Sequence, residues 1–270
     1  MPMRSQRKFA QHFLEQTWVN KLVESIKPQP SDLIVEIGAG RGALTLALAP
    51  TVYRLIAIEI DRDLANRLAE HLPDTVTLIS EDFLLVDLPA TIKPYTQHSR
   101  LRVVGNLPYN ISSQILFHLL KLQTSRELFN DATLMLQREV ADRVVATAGD
   151  RNYGPVAIMT SVHADARRVM TLPPGAFRPA PRVHSAVVQL KFRKPSISLS
   201  QYCVFERLVR TVFQRRRKTL LNALKPYAEA IGVDAATVIE SSKIDPSRRP
   251  ETLELYEYKE LTKVVISSTS

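Results

Sequence analysis

Val35-Glu36-Ile37-Gly38-Ala39-Gly40-Arg41-Gly42-Ala43-Leu44-Thr45 carries an apolar run through three closely spaced glycines into a helical pattern. That order predicts a strand, a sharp turn and a helix, because glycine turns tightly and lets a ligand approach with no Cβ in the way. In a parallel sheet such a turn lies at the carboxyl ends of the strands, where open α/β folds bind ligands. The spacing is Gly-x-Gly-x-Gly. The dinucleotide fingerprint is Gly-x-Gly-x-x-Gly, with a pyrophosphate on the helix N-terminus. A ligand without phosphate needs carboxylates and main-chain groups there instead. Taken alone, the glycine run fits a tight turn with no ligand equally well.

Around this stretch the chain alternates short β-branched runs with helical patterns. Residues 33–37, 54–58, 76–79, 101–104 and 132–136 read as buried parallel strands. Between them, residues 61–72 place Leu64, Leu68 and Leu72 on one stripe, with Asp61 as a cap. This rhythm predicts a parallel sheet covered by helices on both faces. Two more strands are expected at 168–172 and 186–192. The Pro-rich link between them is too short for a helical crossover, so a hairpin-like antiparallel pair is expected. A boundary falls at 194–200, and beyond it Phe205, Leu208, Val209, Val212 and Phe213 recur at helical spacing. The expected division is a ligand-binding domain over residues 1–195 and a helical basic domain over 196–270.

Two acids follow the next strands. Glu59 ends the second strand, where a carboxylate can accept hydrogen bonds from both hydroxyls of a ribose. Asp82 follows the third and can accept from an adenine amino group, with Phe83 packing nearby. The alternatives are a helix cap or surface charge for Glu59 and a turn residue for Asp82. Together with the glycines, the three strand ends describe a nucleoside site. They do not distinguish a methyl donor from a nicotinamide cofactor.

Val103-Val104-Gly105-Asn106-Leu107-Pro108-Tyr109-Asn110 follows the fourth strand. The lone pair of an adenine N6 amine is delocalised into the ring, so methylation needs a more tetrahedral nitrogen rather than a strong base. Two acceptors that bind its two hydrogens favour that geometry. The Asn106 side-chain oxygen and the Leu107 main-chain carbonyl can supply them, and Pro108 stiffens the turn. Tyr109 can stack on an extruded base and favour the positive charge that develops on N6. The alternative is an ordinary strand-to-loop turn, in which Asn and Pro are common.

Net charge is +9, and its placement matters more than its total. Residues 166–228 hold fourteen Lys or Arg and a single acid, Glu206, while the rest of the chain is net acidic. Such a block suits a polyanion such as RNA, or else a solvated face. Cys203 is the only cysteine, which excludes an intrachain disulfide, a cysteine zinc site and the paired cysteines of zinc deaminases. It is read as a packing residue, and no metal site is expected. No apolar run reaches membrane-span length, and Met1-Pro2-Met3-Arg4-Ser5-Gln6-Arg7-Lys8 lacks the apolar centre of a signal peptide. A cytoplasmic protein without a membrane partner is therefore expected.

With these residues in place, the sequence resembles the rRNA adenine N6-dimethyltransferases, and most closely the bacterial small-subunit rRNA enzymes. The likeness covers nearly the whole chain, from Lys8-Phe9-Ala10-Gln11-His12-Phe13-Leu14 through the glycine loop, Glu59, Asp82 and the Asn106–Tyr109 motif. It continues in Phe177-Arg178-Pro179-Ala180-Pro181-Arg182-Val183-His184-Ser185 and Phe213-Gln214-Arg215-Arg216-Arg217-Lys218. Ala39 departs from the pattern, since many members carry proline there.

The resemblance implies a seven-stranded S-adenosylmethionine-dependent methyltransferase sheet of the α/β, Rossmann-like type with a small C-terminal helical domain. It implies that His12, Leu14, Gly38, Gly40, Glu59, Asp82 and Asn106 line the S-adenosyl-L-methionine site. Tyr109 and Phe177 would hold the target adenine, the alternative for Phe177 being an anchor of the Pro-rich loop. The implied reaction is dimethylation of two adjacent adenosines in a hairpin loop near the 3′ end of 16S rRNA; a monomer acting on the assembling 30S subunit is expected. Arg178, Arg182, Arg215, Arg216, Arg217 and Lys218 are expected to contact rRNA phosphates. Three competitors remain: a non-catalytic assembly or transcription factor on the same scaffold, a dinucleotide oxidoreductase, and a resistance-type large-subunit rRNA methylase.

Overall fold

The computed structural model describes residues 12–95 and 101–269, so the expected N-terminal element at 8–11 lies outside the described residues. Along the chain come β1 (Phe13–Leu14), α1 (Gln16–Ile26), β2 (Leu33–Ile37), α2 (Ala43–Leu48), β3 (Arg54–Ile58), α3 (Arg62–Ala69), β4 (Val76–Ile79), α4 (Leu88–Ile92) and β5 (Leu101–Asn106). They are followed by α5 (Ser112–Arg126), β6 (Phe129–Gln137), α6 (Arg138–Val144), α7 (Pro155–His163), β7 (Ala164–Leu172), β8 (Phe177–Arg178) and β9 (Ser185–Phe192). The chain ends with α8 (Leu199–Gln214), α9 (Leu220–Ile231), α10 (Ala235–Ser241) and α11 (Leu255–Thr269). No helix among the described residues is long and apolar enough to cross a membrane.

The chain forms two compact units. One holds residues up to 122 with 128–141 and 167–192; the other holds 123–127, 142–166 and 193 onward. The units therefore interleave, whereas a single cut at 195 separates the chain only once. The reason lies in α7, whose Ala157, Ile158, Met159 and Val162 are all buried and whose neighbours include α8 and α11 of the second unit.

The first unit is built on a seven-stranded sheet in the order β4-β3-β2-β5-β6-β9-β7. Neighbours from β4 through β6 run parallel, and β9 runs antiparallel to β6. All seven expected strands are present. β5 and β6 run beyond their expected ends, and β7 begins earlier, at Ala164. All five residues of β2 are buried, as expected of a strand covered on both faces. From β2 the chain builds outward through β3 and β4, then returns to place β5 on the other side. The order therefore reverses between β2 and β5, and a crevice opens at their carboxyl ends. At the amino end of the sheet, Arg102 pairs with Asp32 (2.5 Å) and Asp131 (3.0 Å) and donates to the Ile26 carbonyl (2.6 Å). A separate two-stranded ribbon pairs β1 with β8, with Phe13 opposite Arg178 and Leu14 opposite Phe177.

The second unit is helical. Ser198 and Gln201 form a reciprocal capping box that starts α8. Tyr202, Phe205, Leu208, Val209 and Val212 form the buried face of α8. Cys203 does not belong to that face. It is exposed, which corrects the packing role expected for it, because helical phase sets it apart from Tyr202 and Phe205. Tyr258 of α11 is fully buried and donates to the Pro250 carbonyl (2.6 Å).

Candidate active site

A cavity of about 320 Å³ opens where β2, β3, β4 and β5 end, a volume at the lower end of the range for small-molecule sites. His12, Phe13, Gly38, Gly40, Glu59, Asp82, Asn106, Leu107, Pro108, Tyr109 and Gln114 are among its lining residues.

The glycine loop is held by the strand beside it. The Gly38 and Ala39 amides both donate to the Ile58 carbonyl, at 2.8 and 3.2 Å. Gly42, at φ 80°, opens α2, and a Cβ there would stand 2.3 Å from the Leu68 side chain. Any larger residue would therefore strain the backbone and require the Leu68 side chain to move.

Glu59 is almost fully buried, and one carboxylate oxygen accepts from the Gly40 amide (2.7 Å) while the other accepts from the Asp61 amide (2.9 Å). Each oxygen keeps a second acceptor position, so the side chain can brace the loop and still meet a ligand. Asp82 accepts from the Leu84 amide (3.0 Å) and also lines the cavity. Phe83 faces a smaller adjoining hollow bounded by Ile37, Ile58, Pro108, Ile111 and Ile115, with its ring edge-on to His118.

In the motif after β5, the Asn106 side-chain nitrogen donates to the His12 carbonyl at 3.0 Å. The amide oxygen is the other end of that group. Leu107 is buried and lines the cavity. The Tyr109 hydroxyl lies 2.6 Å from the Ser185 hydroxyl, and its ring stacks with that of His12 at 5.7 Å between centroids. Burial raises the Tyr109 phenol above its ordinary pKa, and the Ser185 hydrogen bond offsets this only in part.

Two expected residues stand elsewhere. Leu14 packs against the buried core, and its neighbour Phe13 faces the cavity, with the Arg41 guanidinium 4.0 Å above its ring. Side chains alternate along a strand, so only one of this pair can point each way. Phe177 is fully buried in the same core and does not line the cavity. Its pairing opposite Leu14 turns it inward, while Arg178 is exposed. This corrects its expected placement and matches the loop-anchor alternative.

The basic residues differ among themselves. Arg182, Arg215, Arg217 and Lys218 are exposed. Arg178 is exposed but pairs with Glu15 (2.8 Å). Arg216 instead clasps Glu251 (2.6 Å) and donates to the Arg151 carbonyl (3.0 Å), so it is a structural tie within the second unit.

Glu36 was not singled out by the sequence pattern. It is buried on β2 and accepts from the Thr45 hydroxyl at 2.6 Å. Burial pushes its carboxyl up to about 8, the Thr45 bond offsets part of this, and the charge of Glu59 adds to the rise. The available signal was a single acid inside an otherwise apolar strand.

The cavity fits a cationic nucleoside better than a dinucleotide. Among the described residues its charged lining groups are Glu59 and Asp82, with no Lys or Arg. A pyrophosphate would meet like charge, whereas a sulfonium and an ammonium would meet opposite charge.

Comparison with known proteins agrees with this geometry. Residues 3–261 match the model of the family described as ribosomal RNA adenine dimethylase. The chain is 40% identical over 270 residues to the ribosomal RNA small subunit methyltransferase A of Syntrophotalea carbinolica, covering 98% of each protein. Its fold is similar to the crystal structure of a dimethyladenosine transferase from Plasmodium falciparum, with a TM-score of 0.77 and 25% identity over 93% of this chain and 96% of that one. It is also similar to the 23S rRNA methyltransferase ErmE, with a TM-score of 0.69 and 21% identity over 94% of this chain and 99% of that one, a likeness of fold alone. The seven-stranded sheet with a helical C-terminal part is the methyltransferase architecture that the resemblance implied. By its match over nearly the whole sequence, this chain belongs to the ribosomal RNA adenine dimethylase family.

Proposed function

We propose that this protein is an S-adenosylmethionine-dependent enzyme that dimethylates N6 of two adjacent adenosines in a hairpin loop near the 3′ end of small-subunit rRNA, during subunit assembly in the cytoplasm. The observation that carries the reading is the orientation of the Asn106 amide. Its NH2 end is engaged by the His12 carbonyl, which leaves the oxygen as the end available to accept, on a residue that lines the same cavity as Gly38, Gly40, Glu59 and Asp82.

Glu59 would take the ribose hydroxyls of the donor, Asp82 its adenine amine, and Gly38, Gly40 and His12 the remaining wall. Bound there, the donor supplies an electrophilic methyl on a positively charged sulfur. The chain's own part is to present the acceptor. The Asn106 oxygen and the Leu107 carbonyl would accept the two N6 hydrogens of adenine, drawing the nitrogen toward a tetrahedral shape with its lone pair free. Tyr109 would stack on the base and stabilise the charge that grows on N6. Loop adenosines are already partly unstacked, which lowers the cost of turning one into the cavity. After one transfer a single N6 hydrogen remains, and one of the two acceptors then suffices. Arg178, Arg182, Arg215, Arg217 and Lys218 would hold phosphates and set the register on the RNA.

The deciding experiment is radiolabelled methyl transfer to unmodified small- and large-subunit rRNA, followed by mapping of the modified adenosines. Label on two adjacent adenosines of the small-subunit rRNA is expected, and its absence with Asn106→Ala. Label confined to large-subunit rRNA would replace this reading with the resistance-type activity.

A further inference from the structure

The proposed chemistry works with only one of the two flip states of the Asn106 amide. In the other state the NH2 group would face the N6 hydrogens, donor against donor. Rotation about the terminal bond of an Asn side chain is broad and roughly two-fold, so something must select the state. Here the selector is a main-chain oxygen, the His12 carbonyl, 3.0 Å from the Asn106 nitrogen.

A main-chain oxygen holds position only if its segment does, and His12 is anchored on several sides. Its ring lies against Tyr109, with planes 28° apart. Its Nδ1 is 2.7 Å from the Pro179 carbonyl oxygen. A carbonyl only accepts, so Nδ1 carries the proton and donates. Two residues further on, Leu14 is paired with Phe177 in the ribbon of β1 and β8. The same residue thus touches the base-holding asparagine, the base-stacking tyrosine and the Pro-rich loop.

We infer that His12 is a positioning residue that locks the Asn106 amide with its oxygen toward the cavity. This rests on the proposed reaction and adds to it, since the family resemblance implies only that His12 walls the cofactor site. The ring keeps the carbonyl in place, and the carbonyl keeps the amide in its productive flip state. Tyr109 stacking and Asn106 orientation are therefore coupled through one side chain.

His12→Ala and His12→Phe test this with two readouts. The first uses the protein alone, without donor or RNA. The Asn106 side-chain amide signal in a 15N spectrum is assigned by its loss in Asn106→Ala. Its hydrogen exchange is expected to rise about tenfold or more in His12→Ala, because the bond that protects it is loosened. The second is single-turnover transfer at saturating donor and RNA. It is expected to fall about tenfold in His12→Ala even with donor and RNA saturating, so that any change of donor affinity does not enter the rate. His12→Phe keeps a ring for Tyr109 and is expected to recover part of both. Unchanged exchange overturns the inference, as does a loss confined to donor affinity with full rate at saturation. If the wild-type protein labels no small-subunit rRNA, the reaction assignment fails, while the exchange measurement still decides the lock.

Discussion

The hydroxyls of Tyr109 and Ser185 lie 2.6 Å apart, and Ser185 is fully buried at the first position of β9. β9 is not the neighbour of β5: β6 lies between them, with Gln137 in register with Ser185. The tip of the aromatic ring is thus tied across an intervening strand. Ser185→Ala removes that tie, worth about 1 kcal/mol, so transfer at limiting RNA is expected to fall about fivefold with donor affinity unchanged. Tyr109→Phe removes the same bond from the other side, and the double variant is expected to be no worse than the single ones. Additive losses in that cycle would show that the two hydroxyls act separately.

Glu59→Gln puts an NH2 group against one of the two main-chain amides that the carboxylate now accepts from, Gly40 or Asp61. Donor affinity is expected to weaken about tenfold or more, with a loss of stability of about 1–3 kcal/mol from the disturbed loop. Titration calorimetry with S-adenosylmethionine measures the first and chemical denaturation the second. Unchanged affinity would remove Glu59 from the ligand's contacts.

Glu36 makes stability depend on pH. Its carboxyl is raised to about 8 in the folded chain, against 4.5 as the ordinary value. Between those values the unfolded chain has lost a proton that the folded chain keeps, so unfolding becomes easier as pH rises. The stabilisation is complete below the lower value and lost progressively toward the upper one, a change of order a few kcal/mol. Urea midpoints at about pH 5 and about pH 8 are expected to differ in the wild type and to converge in Glu36→Gln. An equal slope in both proteins would assign the pH dependence elsewhere.

Joint replacement of Arg215, Arg217 and Lys218 by alanine is expected to flatten the salt dependence of RNA binding, lowering the log–log slope by about two to three. Arg216→Ala is expected to behave differently. It breaks the Glu251 pair and the bond to the Arg151 carbonyl, so it lowers the melting temperature and leaves the slope nearly unchanged. Filter binding over a salt series separates the two. An unchanged slope in the triple variant would make those side chains bystanders.

Much of this protein was legible along the chain. Parallel strands buried on both faces are mostly apolar runs, so β2, β3, β5 and β6 announce themselves, while β4, expected to be buried, is a half-buried edge strand. A residue within about five positions past such a run lies near the carboxyl edge of the sheet, which is why the glycine loop, Glu59, Asp82, Asn106 and Tyr109 could be gathered at one crevice from the sequence. Side-chain direction in the short ribbon was decided only by the tertiary structure. Two-residue strands have no periodicity to read, so the opposite facings of Phe13 and Leu14, and the burial of Phe177, follow from a pairing between segments far apart in sequence. Distance in sequence likewise concealed the hold of His12 on Asn106, of Ser185 on Tyr109 and of Glu251 on Arg216. Local pattern reports which residues can reach an edge or a core; partners come from the packing of distant segments, where one peptide oxygen selects the flip state of one amide.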